Sequence, residues 1–377
     1  MAELVAVPSL VPEEIDDRVS VATQWQLIWW RFRKHALAMI GAGVIIAFYL
    51  AVIFADPLAY SNPNDSRADR ALIPPQSIYL FYLGKWDPFV YGLTGARDPN
   101  TFKLVYKIDY HKRIPLRLFT PGFKYYLLGF IPTNVHLLGV GGARAEDTLF
   151  LLGTDIQGRD VFSRLVYATR TSLTIGLVGV TLALVLGVTL GGLSGYLGGA
   201  VDVAIQRVIE ILRSIPTIPL WMGLAAAMPK DWSISQVYFA ITIIISLLAW
   251  TELARVVRGR FLSLREEDFV TAADLVGCGR LRIIFVHMVP SFLSHIIAAT
   301  TLALPAMIIS ETSLSFLGLG LRPPALSWGV MLQDAQNVQA VALSPWLLIP
   351  AIPVIIAVLA FNFVGDGLRD AADPYGV

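Results

Sequence analysis

From residue 171 to residue 201 no residue is charged, and apolar runs of similar length recur along the chain. A bilayer core takes about 20 mostly apolar residues per helix, and inside lipid only helices and closed barrels satisfy every backbone group. Of the 377 residues, 55% are hydrophobic and 15% charged. Soluble domains carry about 25% charged residues, so the chain reads as an all-α polytopic membrane protein. Six spans are expected. They are 36–54, 171–201, a third that begins at Asp202, Arg207, Glu210 and Arg213 and continues through 214–228, then 232–251, 291–310 running on towards Phe316, and 343–364. Pro216 and Pro219 are expected to bend or break the third, while Pro345, Pro350 and Pro353 interrupt the sixth. Gly187, Gly191 and Gly195 form a small-residue stripe that allows helix backbones to approach closely, within the chain or across a subunit contact.

Charge placement sets the expected sidedness. Arg31, Arg33 and Lys34 precede the first span, which places the N-terminus in the cytoplasm, and six spans return the C-terminus there. Trp25, Trp29 and Trp30 read as an interfacial aromatic belt. Acidic residues (Glu3, Glu13, Glu14, Asp16, Asp17) lie ahead of a run too long for a signal-peptide core, so that first span is expected to stay in place. The short outer loops offer only Lys230 and Arg322 as basic residues. A net charge of +1 argues against a nucleic-acid partner, and the single Cys278 excludes an intrachain disulfide. The organisation expected is a cytoplasmic interfacial segment 1–35, a first span 36–56, an extracytoplasmic insert 57–148, and a core 149–377. The insert has strand-like stretches at 79–83, 89–91 and 123–128 and a turn at Asp98-Pro99-Asn100, so it reads as a small folded unit of mostly β character, a lid, docking surface or structural cap.

A polar island at 252–290 separates two apolar runs and carries Arg255, Arg258, Arg260, Arg265, Arg280 and Arg282. Its interior has helical apolar spacing (Phe269, Ala272, Ala273, Val276), a break at Gly277-Cys278-Gly279, and a second amphipathic stretch ending at Pro290. Asp268 suits a helix start through the dipole and as a cap, Ala272 and Ala273 permit close approach of a partner, and Gly277 permits the turn. The one intramembrane acid in the fifth run, Glu311, with Thr312 and Ser313, is a candidate for lining a path; a hydrogen bond or ion pair to another span is the alternative.

Thr271-Ala272-Ala273-x3-Gly277 and Pro290 resemble the signature loop of ABC importer permeases, with Thr271, His287 and Val289 standing where that motif has Glu, Ile and Leu. Leu152-Gly153-Thr154-Asp155-x2-Gly158-Arg159-Asp160, Leu314-Ser315-Phe316-Leu317-Gly318, Ser327-Trp328-Gly329 and Asn362-Phe363-x-Gly365-Asp366-Gly367-Leu368-Arg369-Asp370 resemble the dipeptide/oligopeptide group, C-type subunit. The resemblance implies the type I importer permease fold in a bacterial or archaeal plasma membrane, and uptake of peptides delivered by a solute-binding protein. Oligosaccharides or glycosides are the alternative cargo; a secondary transporter is a different class, against which the island argues. It further implies that Asp268, Phe269, Thr271, Ala272, Ala273, Gly277 and Pro290 belong to the element that docks on the ATPase. Implied partners are a homologous second permease, two ATP-binding subunits, the binding protein and membrane lipid, with no nucleic acid. No Gly-x4-Gly-Lys-Ser/Thr loop occurs, so ATP and Mg belong to partner subunits, and no catalytic group, metal or cofactor is expected on this chain. The five histidines have no metal-ligand spacing.

Overall fold

The computed structural model describes residues 23–97, 104–127, 129–141, 148–229 and 231–372. The acidic N-terminal residues, the Asp98-Pro99-Asn100 turn, Lys230 and the last five residues lie outside these. The helices that position the site are α1 (Gln24–Lys34), α2 (Ala36–Ile53), α3 (Val161–Leu197), α4 (Gly199–Ser214) and α5 (Thr217–Ala226). They continue with α6 (Ile234–Leu264), α7 (Asp268–Leu275), α8 (Leu293–Phe316), α9 (Trp328–Gln333) and α10 (Ala351–Ala372). Helix α1 starts on a capping box, in which Thr23 and Gln26 each accept the other's backbone N–H, and it holds Trp25, Trp29 and Trp30 outward.

Among the described residues, α2, α3, α6, α8 and α10 are long and apolar enough to cross a membrane, and α4 with α5 makes a sixth span only as a bent pair. The axes of α4 and α5 differ by 87°. Pro216 causes the break, because a residue before proline is pushed out of the helical region and Ile215 is extended at φ −87°, ψ 131°. Pro219 does not break anything. It falls in the first turn of α5, where the missing N–H would have had no partner. Position corrects the sixth span in the same way: Pro345 and Pro350 precede α10, Pro353 sits in its first turn, and the helix then runs unbroken to Ala372. Of the charges on α4, Arg207 pairs with Glu210 at 2.9 Å, whereas Arg213 reaches across to Glu252 on α6.

Two helices outrun the bilayer. At about 1.5 Å per residue, α3 is about 55 Å long and α6 about 46 Å, against about 30 Å of hydrocarbon. The first third of the polar island is therefore not loop: residues 252–264 are the continuation of α6. The glycine stripe explains how α3 and α6 stay together. A Cβ at Gly191 would lie 2.5 Å from the Ala254 carbonyl oxygen, one at Gly187 would lie 2.9 Å from the Leu253 Cβ, and one at Gly195 would lie 2.6 Å from the Phe261 Cβ. The stripe is thus consumed inside the chain. Asp202 locks the same end, accepting both the Nε and Nη2 hydrogens of Arg258 at 2.6 Å.

The insert is an antiparallel meander in the order β1-β2-β3-β4, with β1 Tyr79–Tyr82, β2 Lys85–Arg97, β3 Leu104–Leu127 and β4 Ile131–Val140. Leu83 and Gly84, both at positive φ, make the two-residue turn between β1 and β2. One half of β3 pairs with β2 and the other with β4, with irregular register after Tyr91 and after Pro121. Tyr60, Val90, Ile114, Leu116, Val140 and Leu149 form its core against the mouth of α3.

A buried polar clasp joins that mouth to the chain leaving α2. Asp155 accepts from the backbone of Gln157 and Arg159, binds the Arg159 Nε at 2.7 Å, and faces the Arg164 Nε at 3.3 Å. Asp160 accepts from Ser163 N–H as the N-cap of α3 and from the Tyr60 hydroxyl at 2.7 Å. Burial pushes the Asp160 carboxyl up to about 6. Gly158, at φ +75°, lies against the Arg67 carbonyl with no room for a side chain.

Two outcomes follow. Gly191→Val forces α3 and α6 apart and costs about 1–3 kcal/mol, visible as a lowered thermal midpoint of the detergent-purified chain. Gly43→Ala, where a Cβ meets nothing, is the control that leaves the midpoint unchanged or raised; equal effects would remove the packing explanation. Asp155→Ala strands Arg164, which is 2% exposed, and costs about 3–5 kcal/mol, read by the same assay.

Candidate functional site

The tip of the island is a short helix held rigidly from below and bare on top. Helix α7 begins after Glu267, whose side chain makes no cap; Asp268 sits in the first turn, where its charge suits the helix dipole without capping it. The expected cap at Asp268 is therefore corrected to a dipole contact. The helix ends in a Schellman motif: Cys278 N–H donates to the Ala273 carbonyl at 3.0 Å and Gly277 N–H to the Asp274 carbonyl at 2.9 Å. Gly277 adopts φ +81°, which only glycine takes readily, although a Cβ there would meet nothing.

The two faces of α7 differ in kind. Val270 is buried and Ala273 half-buried, joining Phe261, Ile283, Ile284, Met288 and Val257 in one cluster that ties the tip to α6. The other face is Phe269, Thr271, Ala272, Leu275 and Val276, all exposed. Leu275 and Val276 are each 83% exposed and Leu281 beyond the turn is 61% exposed. Isolated exposed apolar residues are ordinary, whereas here several lie on one built turn. Spacing found Phe269, Ala272 and Gly277; it missed Leu275 and Leu281, whose only signal is that they are leucines flanking a glycine break.

The second stretch of the island is helical from Arg280 through Ser291, with a wide turn of π type at Ile283–Met288. Pro290 follows within that helix instead of ending it. Proline clashes with the carbonyl four residues back, which is Val286, and the widened turn opens the ladder there. A kink at Phe292 then leads into α8.

The other candidate residues sit at the far end of α8. Glu311 is wholly enclosed, so in this conformation it faces no open path. Its carboxylate accepts from the Ser172 hydroxyl on α3 at 3.2 Å and from the Ser315 hydroxyl at 2.8 Å. Ser172 also accepts from Trp328 N–H, and Ser315 from Leu321 N–H, so one acid organises α3, α8 and the turn before α9. Thr312 is 8% exposed and Ser313 half-buried. The i, i+4 spacing of Glu311 and Ser315 is readable in sequence, whereas Ser172 is not. Among the described residues no cluster of His, Cys, Asp or Glu could hold a metal ion.

Comparison with known proteins bears on what this architecture is. Residues 187–375 match the family model of the binding-protein-dependent transport system inner membrane component, and residues 23–75 match the N-terminal TM domain of oligopeptide transport permease C. The dipeptide transport system permease protein DppC of Lactococcus lactis subsp. cremoris is 39% identical over 357 residues, 93% of this chain and 90% of that protein. The oligopeptide transport system permease protein OppC of Bacillus subtilis is 37% identical over 262 residues, covering 69% and 81%, and that of Haemophilus influenzae is 41% identical over 223, covering 59% and 69%. The chain belongs to the binding-protein-dependent transport system inner membrane components, in the C-type branch of oligopeptide and dipeptide transport permeases.

Proposed function

We propose that this chain is the membrane-spanning subunit of an ATP-driven importer that takes up peptides handed over by an extracytoplasmic solute-binding protein. The single observation that carries the coupling role is α7: an eight-residue helix, buried through Val270 and bare at Leu275 and Val276, on the end of a helix longer than the bilayer. Such an element suits a groove on an ATP-binding subunit. The names of the relatives favour peptides over oligosaccharides as cargo.

In this reading the N-terminus and the tip of the island lie in the cytoplasm and the β-meander lies outside, in a bacterial inner membrane. A homologous second permease and two ATP-binding subunits complete the machine, and ATP and Mg bind on the latter. Closure of the ATP-binding subunits moves α7, and the cluster around Phe261 and Ile284 transmits that movement to α3, α6 and α8 as one body. ATP and the loaded binding protein each shift a two-state balance by binding one state better. Glu311 acts as the fixed joint at the outer end, and Thr312 and Ser313 beside it are the residues proposed to border the path.

The test uses the complete transporter in liposomes. Leu275→Asp with Val276→Asp leaves the thermal midpoint of this chain unchanged, since both side chains are exposed, but lowers peptide-stimulated ATP hydrolysis and tripeptide uptake at least tenfold, about 1.4 kcal/mol of coupling or more. Full stimulation in that variant would end the coupling assignment. Uptake of a trisaccharide but not a tripeptide by the unaltered complex would end the cargo assignment.

A further inference from the structure

Where α6, α8 and α10 end together, the structure leaves a cavity of about 450 Å³. Its polar lining is Arg260 and Ser263 of α6, Glu267 ahead of α7, Ser291 just before α8, Ser294 and His295 of α8, and Arg369 of α10. The wall also includes the rings and chains of Phe292 and Leu264. Arg260 and Arg369 come from helices far apart in sequence, and neither makes an ion pair with another described residue. Among the described residues Glu267 is the one carboxylate in the lining, while Asp370 faces His35 at 4.0 Å and Asp202 holds Arg258. Two guanidiniums against one carboxylate make the lining net positive, and the imidazole and three serine hydroxyls add neutral polar groups.

Depth and wall chemistry narrow the occupant. The cavity lies at the helix ends, level with the start of α2, where Arg31, Arg33 and Lys34 close α1. Guanidiniums bind phosphate oxygens through paired N–H donors, and basic pockets between helix ends suit anionic lipid headgroups. An apolar wall beside the cations suits a molecule that is charged at one end and greasy at the other, which a free anion or an acidic peptide is not. We propose that this cavity binds the phosphate of an anionic lipid headgroup, with Arg260 and Arg369 as its two anchors, His295, Ser263 and Ser294 as further donors, and the glycerol end against Phe292 and Leu264.

The consequence is a link between lipid and coupling. Glu267 is both part of the lining and the residue from which α7 springs, so a bound headgroup bridges α10 to the root of the coupling helix. It also gives a task to Arg369, the last arginine of the C-terminal motif, which the coupling role leaves unused. The leaflet concerned follows from the proposed orientation, but binding itself does not depend on it.

The experiment follows the thermal midpoint of the full-length chain, delipidated in an uncharged detergent. Short-chain phosphatidylglycerol is added and compared with phosphatidylcholine of the same chain length and with inorganic phosphate. Phosphatidylglycerol raises the midpoint by about 2–4 °C and the other two do not. Arg260→Gln with Arg369→Gln removes at least two thirds of that rise while leaving the lipid-free midpoint in place. If the double variant is not recovered folded, Arg369→Gln alone must still lower the retention of labelled phosphatidylglycerol after detergent washing. An equal rise with phosphatidylcholine, or with phosphate alone, overturns the lipid assignment, as does an undiminished rise in the variants. Loss of the rise once the ATP-binding subunits are assembled overturns it in favour of an acidic protein segment in the same cavity.

Discussion

The contact between α3 and α6 is the joint on which everything else in this chain depends. At Gly187, Gly191 and Gly195 one backbone lies almost on the other, so the axes have little freedom to separate or slide. Lipid offers no hydrophobic reward for bringing two apolar helices together, and close van der Waals approach supplies the attraction instead. The stripe sits near the end of both helices that carries α7, and the Asp202–Arg258 pair closes that end. What hangs beyond it inherits its rigidity. The island cluster packs Val270 and Ile283 onto Phe261, the same residue that Gly195 meets, so α7 rests on a stiff post.

At the opposite end rigidity has a different chemical origin. The mouth of α3 is held by a buried polar clasp, Asp155 with Arg159 and Arg164 and Asp160 with Tyr60, and by Glu311 among its serines. Buried charges of this kind are poor sources of net stability, because the desolvation they require offsets most of the attraction. Their use is specificity. Asp160 reaches Tyr60, Glu311 reaches Ser172, and Arg164, held by Asp155, donates to the Pro63 carbonyl, so the segment after α2, the start of α3 and the turn before α9 meet in one arrangement. The Asp160 carboxyl, raised to about 6 by burial, works in the unfavourable direction. Its contribution is complete below the ordinary carboxylate value near 3.8 and is lost as pH rises through 6. That loss is accepted in exchange for the cap on α3 and the hold on Tyr60.

How much of this could be read from residues alone divides along physical lines. Apolar length found five helices long enough to cross a membrane and the bent pair α4 and α5, and local spacing found α7 with its glycine turn, because both signals are carried by near neighbours in sequence. The prolines were misread where position outweighs presence. Pro219 and Pro353 occupy first turns, and only Pro216, with an extended Ile215 before it, bends the chain. Helix ends were placed too early wherever a helix leaves the lipid. Charged residues such as Glu252 and Arg258 end an apolar run, but they do not end a helix. In the insert, aromatic clusters revealed β character, but the 24-residue β3 was seen only at its end, although its first part alternates apolar residues with Lys and Asp at the strand period. The partners of Glu311 were illegible for a simpler reason: Ser172 is 139 residues away.

The two ends together constrain how the subunit can move. The outer end is tied by directional bonds that tolerate little displacement, while the inner end is a hard cluster joined to the rest by apolar contact. In the proposed coupling, a pull on α7 is met by a rigid tilt of α3, α6 and α8 about the clasp at the mouth of α3. The bent pair α4 and α5 lies beside this body with its 87° break, so its two halves can follow different partners. The break consists of two residues outside helix, Ile215 and Pro216, where a change in angle disturbs few helical hydrogen bonds. In that proposal a lever with a stiff arm, a fixed fulcrum and one hinged neighbour would convert a short displacement at the tip into a change of opening between spans.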